Sequence, residues 1–189
     1  MTPDRGPLAI LIGPMGVGKT TAGAQLAALH SVDFMDSDHA VEEAAGRTVA
    51  ELFAERGEAA FRELEANTIA QLLNSFTGVL ALGGGAITTA RVRELLKGQR
   101  VIRLTVSPQA VASRLHGGRG RPLLEDAPDP IAAWQSIADQ REPLFADVAL
   151  STITTDDATP AEVARRISAA ISHREASQSP EPPPSEETA

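Results

Sequence analysis

Gly13-Pro14-Met15-Gly16-Val17-Gly18-Lys19-Thr20 fits the pattern Gly-x-x-x-x-Gly-Lys-Thr, and the residues on either side give that pattern its meaning. The apolar run Leu8-Ala9-Ile10-Leu11-Ile12 enters it as a buried strand should. Thr21, Ala22, Ala24, Leu26 and Leu29 leave it with helical spacing. Strand, glycine-rich turn and helix together make a phosphate-binding P-loop. Phosphate oxygens need many donors at close range. Gly13, Gly16 and Gly18 let the backbone approach and turn, so that successive N–H groups ring the anion. The helix that follows adds its positive end and its unpaired N–H groups. Met15, Val17 and Thr21 complete the ring, Lys19 offers a mobile charge to the β- and γ-phosphates, and the Thr20 hydroxyl is suited to Mg2+.

The chain has 189 residues, the size of one domain, and 42% hydrophobic residues suffice for a full core. A net charge of −8 argues against nucleic acid as a partner. With 3% aromatics, one Trp and no Tyr, platforms for base stacking are also scarce. The absence of cysteine excludes disulfides, thiolate chemistry and cysteine-ligated zinc. No apolar run approaches membrane-spanning length, and no basic stretch precedes a long apolar one near the N-terminus. A soluble cytoplasmic protein is expected.

Along the chain, Val32 to Met35 reads as a second strand ending in Asp36-Ser37-Asp38. Ala40 to Ala45 is a short helix stopped by Gly46. Thr48 and Glu51 have capping-box spacing for a helix ending near Gly57. A longer helix then shows Phe61, Leu64, Thr68, Leu72 and Leu73 as its inner stripe. Val79 to Leu82 is a third strand that empties into Gly83-Gly84-Gly85. Thr88 to Lys97 is helical, and Val101 to Val106 is a fourth strand. Ser107-Pro108 opens a helix to about Leu115. The basic, glycine-rich segment 116–128 reads as a lid, with helix expected for Ile131 to Arg141 and a fifth strand for Val148 to Thr154. A last helix opens at Thr159-Pro160. Residues 1–172 are expected to form the domain and 173–189, rich in Pro, Ser and Glu, a disordered tail. Continuous apolar strands alternating with helices predict a three-layer α/β fold, a parallel sheet covered on both faces.

Ligands of such sheets lie beyond the carboxyl ends of the strands. No acidic residue ends the third strand, so carboxylates near the phosphates must come from Asp36 and Asp38. By spacing alone these read either as a helix start or as a pair serving one site. Arg62, with Glu58 four residues before and Glu65 three after, reads from its pattern as a surface ion-pair trio. Arg119 and Arg121 read either as a solvated basic loop or as charges of a lid closing on nucleotide. The four histidines form no metal-ligand pattern, and Trp134 reads as packing.

In order along residues 8–172, these motifs resemble the shikimate kinases. That family pattern has the P-loop, then Asp-x-Asp, Gly-Glu-x-x-Phe-Arg-x-x-Glu, Gly-Gly-Gly, Arg-Pro-Leu-Leu, and Arg before Pro-Leu and an aromatic. Here they stand at Gly13–Thr20, Asp36–Asp38, Gly57–Glu65, Gly83–Gly85, Arg121–Leu124 and Arg141–Phe145. Phe145 and Ala24 depart from it, where Tyr and a basic residue are common. The resemblance implies a nucleoside monophosphate kinase-like P-loop fold with five parallel strands in order 2-3-1-4-5. It implies ATP-dependent phosphorylation of the shikimate 3-hydroxyl by a monomer requiring Mg2+. Asp38 would bind the acceptor hydroxyls and act as base. Arg62 and Arg141 would clamp the carboxylate beside Gly84 and Gly85. Thr20 and Asp36 would hold the metal, Arg121 would close over the phosphates, and Arg114 with Pro160 would enclose adenine. On this resemblance Arg62 becomes a ligand-binding residue, because two planar guanidinium groups fix a carboxylate bidentately and present one hydroxyl. Other P-loop kinases, for gluconate or nucleoside monophosphates, are the alternatives among enzymes. A GTP-dependent switch is the alternative outside them, but it lacks its Asn-Lys-x-Asp motif here.

Overall fold

The computed structural model describes residues 6–115 and 128–178. Its five strands are β1 (Ala9–Ile12), β2 (Phe34–Asp36), β3 (Val79–Ala81), β4 (Val101–Thr105) and β5 (Ser151–Thr154). All pair in parallel, in the order β2-β3-β1-β4-β5. The helices are α1 (Lys19–His30), α2 (Ser37–Ala45), α3 (Val49–Ser75), α4 (Ala90–Leu96), α5 (Pro108–Leu115), α6 (Pro130–Val148) and α7 (Pro160–Gln178).

Side chains of β1 alternate between two apolar layers, as the period-two geometry of a strand requires. Ala9 and Leu11 pack with Ala22, Leu26, Val163 and Ile167 of α1 and α7. Ile10 and Ile12 pack on the other face with Ile69, Leu73, Val92, Leu96 and Phe145 of α3, α4 and α6. Both faces of the central strand are therefore dry, each buried Leu or Ile contributing about 1.5–3 kcal/mol. That burial fixes β1, and with it the place where the P-loop leaves the sheet.

Local signals stop the elements much as their chemistry dictates. Gly46 caps α2 in the left-handed region at φ 64°. Thr48 and Glu51 form a reciprocal capping box at the start of α3. The two helices expected on either side of Gly57 form one element interrupted there by non-helical backbone, φ 76° and ψ 171°. Leu64 and Leu72 are half-buried. The inner stripe is instead Phe61, Glu65, Thr68, Ile69 and Leu73, and a carboxylate on it is unusual. The helix expected from Thr88 divides into a 3-10 turn, Ala86–Thr88, and then α4.

The helix expected to end at Arg141 continues through Pro143 to Val148, so Val148 closes α6 and does not open β5. Phe145 and Val148 are buried against the sheet, and that burial outweighs the backbone hydrogen bond Pro143 cannot make. Helix α7 runs to Gln178, past the expected boundary at 172.

Candidate active site

The P-loop leaves β1 at Gly13, whose φ of 144° and close approach to the Leu104 carbonyl leave no room for a side chain. Its carbonyl oxygens turn into the protein. Lys19 Nζ donates to those of Gly13, at 2.8 Å, and Pro14, at 3.1 Å. Trp134 Nε1 donates to that of Met15 at 2.9 Å, and Thr155 Oγ1 to that of Val17 at 3.1 Å. With carbonyls held this way, the trans peptides present N–H groups on the other side. Burial draws the Lys19 pKa down from 10.5 to about 8, against the opposing charges of Asp36 and Asp38.

Asp36 caps α2. Its Oδ1 accepts the Asp38 backbone N–H at 3.1 Å and its Oδ2 accepts from Thr20 Oγ1 at 3.2 Å. It is thus both a helix start and a member of the site, so the two sequence readings are not exclusive. Ser37, fully buried, accepts the Gly83 N–H on its hydroxyl at 2.9 Å and ties this turn to the end of β3. Asp38 lies against Gly83, where any Cβ would collide with its carboxylate. Burial raises the Asp38 pKa, as do the charges of Asp36 and Glu42, while Lys19 and Arg62 pull the other way.

Arg62 and Arg141 converge on the glycine turn. Arg62 Nη1 donates to Glu65 at 2.8 Å and Nη2 to Glu58 at 3.4 Å, with Phe53 and Phe61 rings within 5.8 Å of the guanidinium carbon. Its Nε–H is buried and without an acceptor. Glu65 is only 1% exposed, so the surface ion-pair reading fails for Arg62 with Glu65 and holds only toward the exposed Glu58. Arg141 Nη1 donates to the Gly84 carbonyl at 3.0 Å. Burial lowers the pKa of Arg141 and the charge of Arg62 lowers it further, the signature of two cations crowded together. A Cβ on Gly85 would collide with the Arg62 guanidinium, and one on Gly84 would press on the Met15 N–H at 3.4 Å.

A cavity of about 260 Å³ on the other side of the P-loop is lined by Val17, Gly18, Thr21, Arg114, Thr155 and Pro160. Arg114 Nη2 donates to the Thr155 carbonyl at 2.7 Å. Arg114 and Pro160, paired by the sequence reading, thus share one cavity. Arg119 and Arg121 lie outside the described residues. Among the described residues no group of three or more His, Cys, Asp or Glu is placed to hold a metal. The Thr20 hydroxyl and Asp36 carboxylate, in contact, form a small set of hard oxygen donors of the kind Mg2+ takes beside phosphate.

The sequence reading overlooked Ser37, Thr155 and the polar role of Trp134. The last left a signal: a Trp buried in a core must still find an acceptor for its N–H.

A strand–loop–helix phosphate cradle, an acidic turn beside it and paired arginines across a glycine turn define a P-loop kinase of small anionic acceptors. The shikimate kinase family model matches residues 15–172. The shikimate kinase of Salinispora arenicola is 44% identical over 87% of this chain and 98% of its own, and that of Streptomyces coelicolor 42% over 90% and 98%. The Acinetobacter baumannii shikimate kinase, solved in complex with shikimate, superimposes with a TM-score of 0.79. It is 35% identical, over 91% of this chain and 96% of its own. The chain belongs to the shikimate kinase family.

Proposed function

We propose that the two halves of the site hold ATP and shikimate so that the acid's 3-hydroxyl alone meets the γ-phosphorus. As a member of its family the chain phosphorylates shikimate with ATP as donor, a step of aromatic amino-acid biosynthesis. The geometry supports the following residue roles, which the family resemblance implies. The P-loop N–H groups and Lys19 receive the β- and γ-phosphates, and the cavity of Arg114 and Pro160 receives adenine. Arg62 and Arg141 take the acid's carboxylate, and the backbone of Gly84 and Gly85 lies under the ring. Asp38 accepts the hydroxyl proton as the oxygen attacks phosphorus and the bond to ADP breaks. The family resemblance assigns Arg121, outside the described residues, to the transferring phosphoryl group. Mg2+, held by Thr20 and by Asp36 through water, would offset charge on the phosphates when bound. The protein acts as a cytoplasmic monomer, and no described helix is long and apolar enough to cross a membrane.

One observation carries this reading. Two arginines crowd at one end of the site, and Arg62 Nε–H there is buried without an acceptor. A buried donor without a partner costs about 1–3 kcal/mol, which a bound carboxylate recovers. Coupled ADP release with shikimate, gluconate or water as acceptor tests it. Turnover with shikimate alone is expected. Equal turnover with gluconate, which also carries a carboxylate, would mean that the site does not select the shikimate ring.

A further inference from the structure

Trp134 sits on α6, 5% exposed, packed with Val111 and against Met15. Its Nε1–H donates to the Met15 carbonyl at 2.9 Å across 119 residues of sequence. The other P-loop carbonyls with described partners are held by groups that belong to the nucleotide half itself. Lys19 holds Gly13 and Pro14, and Thr155 holds Val17. Only Met15 is held from α6, the helix that also carries Arg141. The Met15–Gly16 peptide is trans, so a carbonyl fixed inward sends the Gly16 N–H outward, toward the concavity proposed above for the phosphates.

We propose that Trp134 is a positioning residue for ATP: its indole N–H locks the Met15–Gly16 peptide and so keeps the Gly16 N–H aimed at phosphate. Without that bond the peptide rotates between inward and outward states, and ATP binds only the outward one. The apparent affinity falls by the fraction of time spent aimed correctly. The proposal rests on the P-loop and shikimate kinase reading above.

Because Trp134 is the only Trp, a tryptophan analogue supplied during expression replaces this residue and nothing else. Benzothienylalanine keeps the bicyclic shape but carries sulfur where the indole carries N–H; 5-fluorotryptophan keeps the donor. We expect the sulfur protein to show a KM for ATP raised about five- to tenfold, the loss of one neutral hydrogen bond. Its KM for shikimate is expected to stay unchanged, and its melting temperature to fall by no more than a few degrees. The fluorinated protein should match wild type in both constants. Trp134→Phe, which keeps an aromatic ring, should give the same rise for ATP together with a lower melting temperature from lost volume. An unchanged KM for ATP in the sulfur protein overturns the proposal, as does an equal rise in both KM values. Failure of the underlying shikimate kinase reading is separate and would appear as no turnover of shikimate by the unsubstituted protein.

Discussion

Arg62 and Glu65 are bonded at 2.8 Å, and it is the carboxylate, 1% exposed, that lies deeper than the guanidinium, at 19%. Burial raises the Glu65 pKa while Arg62 lowers it. A surface helix pair of the same spacing would be worth a few tenths of a kcal/mol. This one orients a guanidinium whose Nη atoms lie against Gly85.

Arg62→Lys therefore separates charge from shape. The lysine retains a cation but loses the planar fork, a difference of about 1.5–3 kcal/mol for a charge-assisted bond. KM for shikimate should rise on the order of ten- to a hundredfold, with KM for ATP and the melting temperature little changed. Steady-state kinetics with each substrate varied in turn decide it; an unchanged KM for the acid would remove Arg62 from the site.

Gly85→Ala should disable the same half of the site without unfolding the protein. The added Cβ collides with the Arg62 guanidinium, the free end of a flexible side chain, so the helix and sheet need not move. Gly13→Ala is the contrasting case, since there the obstruction is the Leu104 backbone and φ is 144°. Thermal melts and kinetics side by side should show a melting temperature preserved in the first variant and lowered in the second.

Asp38→Asn removes the carboxylate proposed as base and should reduce kcat by about a hundredfold or more. Its effect on stability has the opposite sign. The folded state raises the Asp38 pKa above 3.8, so it binds more protons than the unfolded chain between those two values. Stability thus falls as pH rises through that window, and at neutral pH the ionised Asp38 is a net cost. The variant should melt higher than wild type at pH 7, with the gap closing as pH drops toward 3.8. A lower melting temperature at pH 7 would mean that contacts with Lys19 and Arg62 outweigh desolvation.

Lys19, drawn down to about 8, is part neutral in the free enzyme at mildly alkaline pH. Phosphates favour its charged form, so ATP binding above pH 8 should take up a proton. Calorimetry in buffers of different ionisation enthalpy measures this directly. KM for ATP should also climb as pH rises through 8. Lys19→Met should bind ATP without that proton uptake and show no turnover.

Much of this site was legible because its chemistry comes as local strings: the P-loop, Asp36-Ser37-Asp38 and the three glycines each follow a strand. Helix capping at Thr48 was equally readable, since its partners lie three residues apart. Contacts closed by the fold were not. The bonds from Trp134 to Met15 and from Arg141 to Gly84 span 119 and 57 residues and leave no periodic trace. Glu65 illustrates a different limit. Spacing of three from Arg62 is the same on a wet face as on a dry one, and only packing against the sheet decides which. The length of α6 was hidden by Pro143, whose local preference to break a helix loses to the burial of Phe145 and Val148.

The glycine turn has a consequence for how this enzyme is able to change. Gly83 is kept bare by the Asp38 carboxylate and Gly85 by the Arg62 guanidinium, so each glycine and its charged neighbour occupy one shared volume. Enlarging either glycine displaces a charged group proposed to bind the acceptor, and shortening either charged side chain leaves a void beside its glycine. A new acceptor therefore requires glycine and charged residue to be exchanged together. Libraries that vary one position at a time would find this rim inert, whereas paired libraries at 38 with 83, and at 62 with 85, would reach altered acceptors.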